Sequence, residues 1–78
     1  MEQLLLVAEH AGLRYEIIDG EELGFYVFAY DVNGKNTHDY LQDDIDMAKR
    51  CATDEFGVPS ASWRPASEGE RPLWQDNA

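Results

Sequence analysis

Between Asp31 and Asp44 the chain crowds six oxygen-bearing side chains: Asp31, Asn33, Asn36, Asp39, Asp43 and Asp44. A hard cation such as calcium needs such donors, but a calcium loop also fixes their spacing, with glycine sixth and glutamate twelfth. Counted from Asp31, Gly34 falls fourth and Gln42 twelfth, so the spacing fails. His38 beside Asp39 or Asp43 follows no transition-metal spacing rule either. These residues read better as turn and helix-cap formers, and no metal or other cofactor is expected.

Catalysis finds little to work with. His10 and His38 are the only histidines, and no serine or cysteine lies in a nucleophile motif. The adjacent Asp43 and Asp44 would diverge at a helix start, and the glycines are too scattered for a phosphate loop. Cys51 is the single cysteine, so it can neither staple the domain nor build a cysteine zinc cluster, and it reads as a small apolar residue. The expectation is a protein that is not an enzyme.

Charge narrows the partners. Sixteen acids against six bases give a net charge of −10, and residues 2–46 hold eleven of the acids against Arg14 and Lys35 alone. Direct nucleic-acid binding needs a basic surface, and an anionic membrane would repel this one. Acidity serves solubility, and it also suits a protein partner with a basic surface. The longest apolar run, Leu4 to Ala8, is far below the ~20 residues of a membrane span, and its acidic flanks are unlike a secretory leader. A cytoplasmic location is the simplest expectation.

The elements that must position these groups follow from periodicity. Seventy-eight residues with 44% hydrophobic content make one small domain. Residues 3–11 fit either an amphipathic helix stopped by Gly12 or a doubly apolar strand, and the strand is preferred because it completes a meander. Leu13 to Asp19 alternates with Leu13, Tyr15 and Ile17 on one side and Arg14, Glu16 and Ile18 on the other. Phe25 to Val32 is the strongest strand, with Phe25, Val27 and Ala29 opposite Tyr26, Phe28 and Tyr30. Asn33-Gly34 suits a two-residue turn of type I′, leading into a weak edge strand over 35–42. A helix follows, with Asp43 as its expected N-cap (Asp39 is an alternative), Ile45, Ala48, Ala52 and Phe56 on its apolar stripe, and Gly57 and Pro59 as its stop. Trp63 is expected to turn back and close the core. Residues 1–64 then form one α+β domain, an antiparallel meander of three to four strands under one helix, and the Pro, Ser, Glu and Gly content of 65–78 reads as a flexible tail.

The segment Asp39-Tyr40-Leu41-Gln42-Asp43, then Ala48 and Ala52, then Phe56-Gly57-Val58-Pro59 and Trp63, resembles the closing half of small uncharacterised bacterial proteins with a YLQD start, an alanine-rich helix and an FGVP-x-x-x-W finish. The resemblance implies the helix and its stop, and it implies no activity.

One mismatch carries the functional expectation. The sheet is apolar on both faces while a single helix can shelter only one, and monomers seldom leave several hundred Å² of apolar surface bare. Tyr26, Phe28 and Tyr30, rimmed by Glu16, Asp19, Glu21 and Glu22, are therefore the expected contacts for a protein partner. That describes an inhibitor, an immunity-type protein or an adaptor. The alternatives are a homodimer with paired sheets, in a structural or housekeeping role, and a face covered by the chain's own N-terminal segment or tail.

Overall fold

The protein is described by a computed structural model covering residues 3–76. Residues 1–2 and 77–78, the outer ends of the expected domain and tail, lie outside the described residues. The chain runs β1 (Gln3–His10), β2 (Leu13–Asp19), β3 (Phe25–Tyr30), β4 (Asn36–Gln42), α1 (Ile45–Phe56), β5 (Arg64–Pro65) and α2 (Leu73–Asp76). The strands form one antiparallel sheet in the order β4-β3-β2-β1-β5. The α+β class is as expected, with a fifth, two-residue strand that has no periodicity to reveal it.

Residues 3–10 are a strand, and its five-residue apolar run serves both faces. Leu6 and Ala8 join the core under α1, while Leu4 and Val7 pack on the opposite side. The type I′ preference is met at a different turn from the one expected. Ala11 and Gly12 both take positive φ (53° and 80°) between the paired His10 and Leu13. At the β3–β4 connection only Gly34 does so. There the Gly34 N–H donates to the Asp31 carbonyl at 3.0 Å, and Asp31 Oδ1 accepts from the Asn33 and Lys35 N–H groups. An aspartate that gathers two N–H groups favours this longer loop over the two-residue one.

The N-cap of α1 is Asp44, one residue beyond the expected Asp43, and it accepts from the Met47 N–H at 2.8 Å. Gly57, at φ 73°, ends the helix, and Thr53 Oγ1 donates to the Val58 carbonyl at 2.6 Å across the stop. Ala48 and Ala52 face the sheet fully buried, their small side chains bringing α1 close to Tyr15, Ile17, Val27 and Ala29. Trp63 packs against the same core. That accounts for the first face.

Part of the second face is covered by the segment expected to be a loose tail. Residues 64–76, here called the strap, begin as β5 against Leu6 and Val7 of β1, and the Ala66 N–H donates to the Leu5 carbonyl at 2.9 Å. The strap then crosses the sheet to a fully buried carboxylate, Glu16. Glu16 Oε1 accepts from the Tyr30 hydroxyl at 2.6 Å, and Oε2 accepts from Arg14 Nε at 2.7 Å and from the Leu73 N–H at 2.9 Å. The Trp74 N–H donates to the Tyr30 hydroxyl in turn. Outside this centre, Glu70 is gripped by Arg64 through two 3.0 Å bonds, by the Ser67 N–H at 2.8 Å and by Arg14 at 3.3 Å. The expectation of an apolar face with nothing of its own to cover it is therefore corrected: the tail covers part of it, which is the alternative reading.

Two outcomes follow. Tyr30→Phe leaves Glu16 Oε1 without its donor in a buried site, which should cost about 1.5–3 kcal/mol of stability in urea unfolding, and an unchanged midpoint would contradict the pin. The Arg64 pair, then the Ser67 N–H, hold the Glu70 carboxyl down to about 2, against an ordinary value of 4.5. A lowered carboxyl stabilises the fold above its unfolded value, so this contribution is complete above pH 4.5 and is lost as pH falls through about 2. Carboxyl ¹³C NMR should show Glu70 titrating far below 4.5, and in Arg64→Gln it should move back towards that value.

Candidate protein-interaction surface

Sheet register places each expected contact. On the strap side the rungs run Leu4, Ile18, Tyr26, Leu41 and then Val7, Glu16, Phe28, Asp39. The strap crosses from β1 over Glu16 and Tyr30 towards the β3–β4 loop, where Trp74 lines a hollow with Asn33, Gly34, Lys35 and Asn36. Glu16 (0% exposed) and Tyr30 (2% exposed) are thus sealed beneath it and cannot meet a partner, a correction to two of the seven expected contacts. Burial first, then the hydrogen bond to Glu16, push the Tyr30 phenol well above its ordinary range.

The other end of that face stays open. Tyr26 and Phe28 are half-buried with ring centroids 5.9 Å apart, and beside Tyr26 on β4 lies Leu41, 48% exposed. Leu23, 66% exposed, stands on the neighbouring β2–β3 connection. Glu21 and Glu22 are exposed on the same connection, Asp39 is exposed opposite Phe28, and Asp19 is half-buried, its Oδ1 accepting from the Glu21 N–H. Five expected contacts therefore remain accessible, and Leu23, Asp39 and Leu41 join them. The alternation of Thr37, Asp39 and Leu41 signalled the last two, but only a known β3–β4 register turns that into neighbours of Phe28 and Tyr26.

On the helix side, α1 packs against β4 through Glu55 and Phe56. The groove between them holds about 340 Å³ and is lined by Tyr40, Gln42, Met47, Arg50, Cys51, Asp54 and Glu55. The Tyr40 hydroxyl donates to Glu55 Oε1 at 3.1 Å, and this bond foremost raises the phenol's pKa. Behind Tyr40, Phe56 packs on Tyr15, His38 and Tyr40 with centroids 5.2–6.0 Å away. Within the oxygen-rich run from Asp31, three side chains serve local structure: Asp31 in its loop, Asn36 at the start of β4 and Asp44 on the cap. Among the described residues no three His, Cys, Asp or Glu side chains gather as a metal set. Among those residues, too, no helix is long and apolar enough to cross a membrane.

The chain matches no known protein family, no curated protein and no solved structure.

Burial first, then Glu55 and Asp54, push the Cys51 thiol above its ordinary pKa. Alkylation by iodoacetamide at pH 8 should run slower than for an unstructured cysteine peptide and speed up in Asp54→Asn/Glu55→Gln. A rate above the peptide's would mark Cys51 as an activated nucleophile instead.

Proposed function

We propose that this chain is a non-enzymatic, acidic protein-binding module, an inhibitor or adaptor whose target presents a basic surface to the open end of the strap-side sheet. One observation carries the reading: apolar Tyr26, Phe28, Leu41 and Leu23 stay accessible at the end of the sheet that the strap does not reach, among Glu21, Glu22 and Asp39. From Asp19 to Asp46 the only base is Lys35, in the β3–β4 loop. An aromatic centre supplies contact area, and an unopposed acidic rim speeds encounter with a basic partner and rejects acidic ones. Self-association is disfavoured by the same charge, since it sets one chain of net charge −10 against another.

The test is retention of a target from host-cell lysate on the immobilised chain. Retention should fall about tenfold or more in Glu21→Lys/Glu22→Lys and in about 0.5 M salt, where the screening length is near 4 Å. Leu41→Asp, which keeps the acid and removes the apolar contact, should weaken it as well. A dimer in size-exclusion chromatography that Leu41→Asp turns into a monomer would replace this reading with self-association. Retention indifferent to all three changes would overturn it.

A further inference from the structure

The two edges of the sheet are treated differently. At the β1 edge, β5 pairs with Leu6 and Val7, and the Ala66 N–H takes the Leu5 carbonyl. At the other edge β4 pairs only inward, with β3, and among the described residues no strand lies beyond it. In an antiparallel ladder, alternate residues of an edge strand turn their N–H and C=O outward. Over the seven residues of β4 that is an open ladder roughly 23 Å long. The usual blocks are few: β4 holds no proline and no lysine, and its one register irregularity lies at its start, by Asn36.

The flanks of this edge are shaped for side chains that alternate. On the strap side stand Leu41 and Asp39, next to Tyr26 and Phe28. On the helix side is the groove of about 340 Å³, with Met47 and Tyr40 as apolar walls and Asp54 and Glu55 on its rim. A strand laid along β4 would send successive side chains to these two sides in turn. Acids occur on both, with Asp39 on one and Asp54 and Glu55 on the other, against Arg50 alone in the groove.

We infer that β4 is an acceptor edge, and that the partner supplies an extended segment of alternating basic and apolar residues that joins the sheet as a sixth strand. This rests on the reading of the chain as an acidic protein-binding module and specifies how the partner is held: backbone bonds give affinity, and the two flanks select its side chains. Charge complementarity chooses the occupant. A second copy paired through β4 would bring its own Asp39, Asp54 and Glu55 to the same edge, whereas a basic strand is attracted by them.

The test uses a blocked heptapeptide, Lys-Val-Lys-Tyr-Lys-Val-Lys, titrated into the full chain at about 50 mM salt and followed by ¹⁵N NMR and amide exchange. Two N-methylated versions carry the methyl groups on one or the other alternate set of residues. An added strand bonds through only one set, so one version should bind about tenfold or more weakly and the other within about threefold of the parent, with outward β4 amides gaining protection. If both versions bind like the parent and the shifts fall around Tyr26 and Phe28, strand addition is overturned while the acidic binding module stands. If the parent peptide does not bind at all, both the strand addition and the preference for a basic partner are overturned. A peptide-induced dimer would assign the edge to self-pairing and overturn it too.

Discussion

A carboxylate with no exposed surface is expensive unless every oxygen is met, and Glu16 sets that condition for this fold. Its donors come from three separate places: Arg14 beside it on β2, Tyr30 on β3, and the Leu73 backbone 57 residues along the chain. The last is the telling one, because an N–H from the strap can reach Glu16 only when the strap lies across the sheet. Removing the charged partner, Arg14, would strand the Glu16 charge, typically at about 3–5 kcal/mol. The strap is therefore part of the domain, held by a polar pin together with the packed Ala66 and the buried Pro72.

The same pin shapes the exterior. Arg14 and Arg64 are drawn into pairs with Glu16 and Glu70, making an internally neutral cluster. Four bases are left to oppose the other fourteen acids, so locking the strap concentrates the negative field on the rest of the surface. The diagonal course of the strap then decides which aromatics are spent inside. Tyr30 lies under it, while Tyr26 and Phe28, further along β3, are left with Leu41 at the acidic end. Charge, cover and open edge all point to the β3–β4 side.

Much of this was legible in the residues. Period-two alternation placed Val27 and Tyr26 on opposite faces, and the helix stop at Gly57 follows from local chemistry that tertiary contacts leave alone. Glu16 was legible as a face and misleading as an environment. Its alternation with Tyr15 and Ile17 correctly put it on the second side, where a charged residue in a short domain reads as a rim. Nothing local tells that Leu73 will arrive to solvate it. The strap failed for the same reason: Pro, Ser, Glu and Gly are what loose tails contain, and its anchors are a few contacts across more than forty residues of sequence. Asn33-Gly34 misled more mildly, because the Asp31 side chain outbid the dipeptide's own turn preference.

The central claim is that the strap is pinned over the sheet by the buried Glu16 carboxylate. Amide hydrogen exchange of Leu73, resolved by NMR in the intact chain, addresses it directly, because that N–H has no helical or strand partner to protect it otherwise. Protection approaching that of the β2 and β3 amides is predicted. Exchange at the rate of an unstructured peptide would contradict the account.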